Sequence, residues 1–142
     1  MHDLRQVYHD LEAELAEAGL SCRACGRCCN FAEVDFELWG SVLEVVWMRI
    51  AGVPIKQEEG MCPYRDDEGM CSNRRGRVLG CRVYFCTGEA GVVSGRYETH
   101  LGRIREVHRR RGLGWEYGPV LELLDAVDVR QICQRINSAF SA

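Results

Sequence analysis

Eight cysteines in two dense groups constrain this chain more than any other feature. Cys22, Cys25, Cys28 and Cys29 fall in the run C-R-A-C-G-R-C-C, and Cys62, Cys71, Cys81 and Cys86 form a second group further on. Two-residue gaps let successive thiolates converge from a tight turn onto one ion or cluster. Eight ligands match two four-ligand sites, because tetrahedral zinc and the cubane iron–sulfur cluster each take four. The pattern therefore points to chelation, while thiolate donors suit iron and zinc alike. Adjacent side chains in an extended segment point opposite ways, so Cys28 and Cys29 are expected to serve two neighbouring sites. Cys22, Cys25 and Cys28 repeat a ferredoxin-like run that Cys62-Pro63 could complete, leaving Cys29, Cys71, Cys81 and Cys86 for the second site. A different partition, or one filled site with spare thiols, stays open.

The same residues resemble the YkgJ-type cysteine-cluster family, a "CxxCxxCC" zinc- or iron-chelating domain. Cys22, Cys25, Cys28 and Cys29 with Gly26 give the opening motif, Cys62-Pro63 the middle, and Cys81-Arg82-Val83-Tyr84-Phe85-Cys86 the close. The resemblance spans residues 20–90 and implies that all eight cysteines are metal ligands. The chain departs from the family between Cys71 and Cys81, where Asn73-Arg74 and Arg77-Val78 replace the usual Ile-Tyr and Arg-Pro. Ligand spacing survives those changes, whereas any contact made by the missing Tyr or Pro does not. A related cysteine module occurs in flagellin lysine N-methylases, which are longer chains, so the resemblance implies a metal module rather than a particular reaction.

At 142 residues the chain reads as a single domain, 1–142, with a metal-binding core at 20–90 and C-terminal helices at 96–140. The N-terminal stretch carries acids and lacks a continuous apolar run, and no later segment reaches membrane-spanning length. A cytoplasmic location without a membrane partner is the expectation, and in a reducing compartment clustered cysteines read as ligands before disulfides.

The net charge of −3 argues against a general nucleic-acid binder. Its distribution is uneven. Residues 1–71 hold 14 acids and 6 bases, and residues 72–142 hold 7 acids and 12 bases. Four thiolates around one Zn²⁺ would add about −2, so nearby cations have a use. Arg23, Arg27, Arg77 and Arg82 stand within a few residues of ligands and are candidates to stabilise thiolates; a plain preference for arginine, 17 against one Lys, is the alternative.

Periodicity predicts a mainly α fold with an irregular cysteine-rich cap and a short β-hairpin. Leu4, Val7, Tyr8, Leu11 and Leu15 mark a first amphipathic helix stopping at Gly19. Phe36, Trp39, Leu43, Val46, Trp47 and Ile50 mark a second, with Asp35 as N-cap and Gly52-Val53-Pro54 as its end. The two tryptophans are placed to shield the metal region or simply to fill the core. Residues 61–64 and 69–71 are expected as hairpin arms, and 77–85 as a further short strand. Beyond Gly95, a helix through Tyr97, Leu101, Ile104, Val107 and His108 is followed by a glycine-loosened stretch around Trp115 and Tyr117. Pro119 opens a short helix, and a last one carries Val129, Ile132, Cys133, Ile136 and Phe140.

Cys133 lies on an apolar stripe and reads as a small core residue. His2, His9, His100 and His108 lack mutual metal spacing and read as surface histidines. Arg103, Arg105, Arg109, Arg110 and Arg111 form a basic helix end, read as a solvated face that complements the helix dipole ahead of a phosphate or acidic-partner site. No nucleophile triad, paired carboxylates or nucleotide loop is visible. Two functions follow. The first is an iron–sulfur or iron-binding protein with a redox or electron-transfer role and a redox partner. The second is a structural zinc module that presents a surface to a protein partner.

Overall fold

The computed structural model describes residues 1–20, 29, 37–55, 59–83 and 90–141. The expectations placed on Cys22, Arg23, Cys25, Arg27, Cys28, Asp35, Phe36, Tyr84, Phe85 and Cys86 lie outside the described residues. Among the described residues, six α-helices and one two-stranded antiparallel ladder make the fold mainly helical.

Helix α1, His2–Glu17, buries Leu4, Val7, Tyr8, Leu11 and Leu15, the five residues its periodicity selects. It ends because Gly19 adopts φ +74, a left-handed conformation that costs glycine little. Gly19 then donates to the carbonyl of Ala16 and Leu20 to that of Leu15, which closes the last turn.

Strand β1, Trp39–Ser41, leads directly into helix α2, Val42–Ala51. The second helix therefore begins later than its apolar spacing suggests, and Trp39 lies outside it. Ser41 is the N-cap: its hydroxyl accepts from the amide of Glu44 and the Glu44 carboxylate accepts from the amide of Ser41, a capping box. β1 pairs with strand β2, Tyr117–Pro119, with Trp39 opposite Pro119, Gly40 opposite Gly118 and Ser41 opposite Tyr117. Gly40 is needed for this approach, since a Cβ there would lie 3.1 Å from Val120 and 3.4 Å from Val78.

After a single 3₁₀ turn at Arg74–Gly76, helix α3 spans Leu79–Val83. A strand is expected across this stretch, and the structure corrects it. Leu79, Arg82 and Val83 are buried at helical spacing, and the amide of Leu79 donates 2.7 Å to the Glu44 carboxylate, which satisfies one of the helix's leading N–H groups. Helix α4 runs Ala90–Arg110, followed by β2, helix α5 at Val120–Ala126 and helix α6 at Val129–Ser141. The hairpin expected around 61–71 is reduced to one bridge, Arg65 with Cys71, closed by Asp66 to Met70 and Ser72 to Tyr64.

Helix α2 is the wall between two apolar clusters. Val42, Leu43, Val46 and Trp47 join α1, Ile104 and Val107 of α4, and Ile132 and Ile136 of α6. Val45 and Met48 face the other way and meet Cys29, Leu38, Cys62, Tyr64, Val78, Val120 and Leu124. Cys133, read from the sequence as a small buried residue, is half-buried and packs at the edge of the first cluster.

The uneven charge distribution has a structural counterpart. Acids of α1 pair with bases on or just after α4: Asp3 with Arg111, Asp10 with Arg103, and Glu14 with Arg96 and His100.

Candidate metal centre

Four of the eight motif cysteines, Cys29, Cys62, Cys71 and Cys81, come from separate segments, Cys81 from helix α3, and all border the second apolar cluster. Cys29 and Cys62 are buried, and Cys71 and Cys81 are half-buried beside them. Their backbones are tied as well: the Cys62 amide donates 2.8 Å to the carbonyl of Cys29. The chain before Cys62 is braced by Ile55 donating 2.9 Å to the carbonyl of Pro63. Among the described residues alone, no group of three or more His, Cys, Asp or Glu side chains is spaced to hold a metal ion.

Cys71 sits where a thiolate is favoured. A hydrogen bond from the Cys29 thiol is the largest influence, and it holds the Cys71 thiol at about 6, against its ordinary 9.0. Burial opposes the shift; the backbone N–H of Asn73 and the charges of Arg77 and Arg74 add to it. A sulfur supplied with an N–H donor and nearby guanidinium charge has the donor chemistry that zinc and iron ligation require, while the described residues by themselves bring no three such ligands together.

The turn that carries Cys71 is anchored to the C-terminal end of α2. Asn73, itself buried, donates from Nδ2 to the carbonyl of Met48 at 2.9 Å. The Tyr64 hydroxyl reaches the carbonyls of Met48 and Gly52, both at 3.2 Å, and burial pushes it up to about 12. Asn73 fits only because two glycines make room. A Cβ on Gly52 would come within 2.7 Å of its side chain, and one on Gly76 within 2.5 Å. Ser72 adds a 2.6 Å hydrogen bond from Oγ to the carbonyl of Tyr64.

The arginines near the ligands divide in role. Arg77 acts on Cys71 as the sequence suggests, and Arg74, not among the arginines that the sequence singles out, acts with it. Arg82 does not. Its guanidinium is buried, donates to the carbonyls of Arg77 and Arg75 and to the Glu12 carboxylate, and lies 3.8 Å over the Tyr8 ring. Trp47 is buried with its indole N–H donating 3.0 Å to the carbonyl of Arg75, whereas Trp39 is 41% exposed and packs on Tyr117.

His100 and His108 correct the surface-histidine reading, because both are fully buried. His100 Nε2 meets the Glu14 carboxylate at 3.1 Å, and His108 Nδ1 meets the carbonyl of Gly114 at 3.2 Å. His108 also stands edge-on to Trp115, and burial holds its ring below the usual imidazole value. His100 is made an interior site by a partner 86 positions away, and His108 by the chain folding back six residues on, and helical spacing announces neither.

Glu44 is the functional-looking residue that periodicity misses. Wholly buried, its carboxylate accepts from the amides of Ser41 and Leu79 and from the hydroxyl of Tyr8. It fixes α1, α2 and α3 together beneath the cysteine turns. The Ser41-x-x-Glu44 spacing is the one signal that could have found it.

Compared with family models, curated proteins and solved structures, the chain matches none of them.

Proposed function

We propose that this chain is a metal-binding cysteine-cluster protein whose motif thiols hold an iron–sulfur cluster or iron in support of a redox or electron-transfer step. The observation that supports the reading is that Cys29, Cys62, Cys71 and Cys81 all border one apolar cluster, with Cys29 hydrogen-bonded to a Cys71 thiol whose pKa is lowered. The resemblance of the motif to the YkgJ-type family supports extending the ligand set to Cys22, Cys25, Cys28 and Cys86. When bound, such a group would supply one-electron chemistry. The chain's own residues would limit water through Leu38, Val45, Met48 and Tyr64, and stabilise thiolate through Arg74, Arg77 and the Asn73 amide.

A structural zinc module is the second reading, favoured by a separate observation. Residues 59–83 contain isolated bridge residues, one 3₁₀ turn and a five-residue helix, so ligation would supply stability that secondary structure there supplies only sparsely. The partner is a redox protein in the first case and a bound protein surface in the second, both in the cytoplasm. Purification without oxygen separates the two. Brown protein with absorbance near about 400 nm, iron and acid-labile sulfide supports the cluster. Colourless protein with stoichiometric zinc supports the structural module, and protein that retains no metal refutes both.

A further inference from the structure

A cavity of about 260 Å³ opens between the first half of α1 and the 3₁₀ turn, lined by Arg5, Tyr8, His9, Glu12, Trp47, Arg74, Arg75 and Arg82. Four guanidinium groups border it against one carboxylate. That carboxylate, Glu12, is already engaged by Arg82 and lies 3.8 Å from Arg77. The cavity therefore carries a surplus of positive charge that its own acid does not neutralise.

Arg5 and Arg75 hold that surplus. Both are exposed, and among the described residues neither guanidinium makes an ion pair or hydrogen bond. Their guanidinium carbons lie 5.5 and 5.8 Å from the centroid of the same Trp47 ring. Two like charges are thus brought to one indole, an arrangement that an anion between or beside them would relieve. The site is also pre-organised. The carbonyl of Arg75 is fixed by the Trp47 indole N–H at 3.0 Å and by Arg82 at 2.7 Å, so the backbone from which Arg75 projects is held before any ligand arrives.

We infer that this cavity binds a compact, multiply charged oxyanion, phosphoryl or dicarboxylate, between Arg5 and Arg75. Guanidinium forks match both oxyanion geometries in bidentate fashion. Size sets the upper limit: the volume lies below the usual range for drug-sized ligands, about 300–1,000 Å³, and suits a small anion. The indole N–H is spent on the backbone, so Trp47 offers an apolar face and the arginines offer the donors.

The test is isothermal titration of the full chain at constant ionic strength with pyrophosphate and, separately, with malonate, using chloride as the control. One-to-one saturable binding is expected for at least one of the two, and whichever binds tighter assigns the oxyanion as phosphoryl or dicarboxylate. Arg5→Gln and Arg75→Gln should each weaken binding about ten-fold or more, since each removes charge-assisted hydrogen bonds. Arg75→Lys should retain part of the affinity, and Arg130→Gln, on the exposed side of α6, should retain all of it. Absence of saturable binding for both anions up to about 10 mM, or affinity unchanged in the Arg5→Gln, Arg75→Gln double variant, overturns the proposal.

Discussion

The Tyr8 hydroxyl donates a 3.0 Å hydrogen bond to the Glu44 carboxylate, and neither side chain is open to solvent. One residue comes from α1 and the other from α2, 36 positions apart in the chain. The same carboxylate oxygen takes the amide of Leu79 at 2.7 Å, so a single buried acid joins the N-terminal helix to the segment that bears Cys81. A buried carboxylate is tolerated here because three donors replace its water.

Removing that acid should cost far more than removing one of its donors. Glu44→Ala leaves two buried amides and a hydroxyl without an acceptor, and about 3–5 kcal/mol of stability is expected to go. Tyr8→Phe loses one hydrogen bond while keeping a ring beneath Arg82, and about 1 kcal/mol is expected. Urea denaturation of both variants checks the order; equal losses would contradict a three-donor site.

The cysteine variants should separate ligands from core. Cys62→Ser and Cys71→Ser are expected to lower metal content and thermal stability together, because ligand loss also removes folding free energy. Cys133→Ser should leave metal stoichiometry unchanged, since its side chain packs at the edge of the other apolar cluster. Elemental analysis beside a melting curve reads both quantities. A full metal complement in the Cys62, Cys71 double variant would end the ligand assignment.

Gly76 and Asn73 should behave as a coupled pair. Gly76→Ala drives a methyl to within 2.5 Å of the Asn73 side chain, and a loss of about 1–3 kcal/mol is expected. Asn73→Ala frees the space but removes the hydrogen bond to Met48. The double variant should therefore lose less than the two singles combined. Additive losses in a double-mutant cycle would mean the contact does not limit the turn.

Acid should lower stability in two stages, first around His108 and then across the α1–α4 ion pairs. Burial holds the native His108 ring below its ordinary 6.5, so its contribution is complete above that value and is lost as pH falls through the lowered native one. Asp3, Asp10 and Glu14 are held below their ordinary 3.8, 3.8 and 4.5, chiefly by hydrogen bonds from Arg111, Arg103 and His100 respectively. Their contributions persist until the pH falls past those ordinary values and are lost through the lowered native ones. Melting temperature against pH should show both components. His108→Gln should abolish the upper one alone, and a profile unchanged by that substitution would count against the assignment.

Much of the helical architecture is legible locally. The five apolar residues of α1 recur every three or four positions, and those are the five that are buried; Gly19 ends the helix where its backbone freedom is needed. The Pro119 start of α5 and the stripe of α6 are readable for the same reason, since helical periodicity depends on neighbours a turn away. The start of α2 and the helical state of Leu79–Val83 are less so. Trp39 has apolar character consistent with a helix face, yet it is drawn into a strand by pairing with Pro119, and Leu79 begins a helix because its amide meets Glu44.

By itself the sequence determined that eight thiols fall in metal-like spacing and which amphipathic faces had to be buried. Tertiary structure alone decided which polar groups went inside. Arg82 became an interior hub instead of a thiolate neighbour, His100 and His108 left the surface, and Asn73 found a slot between two glycines. The reason is physical. An apolar side chain is buried by a non-directional effect that a local pattern can encode. A polar one is buried only when specific donors and acceptors arrive from distant segments, and the folded chain is what brings them together.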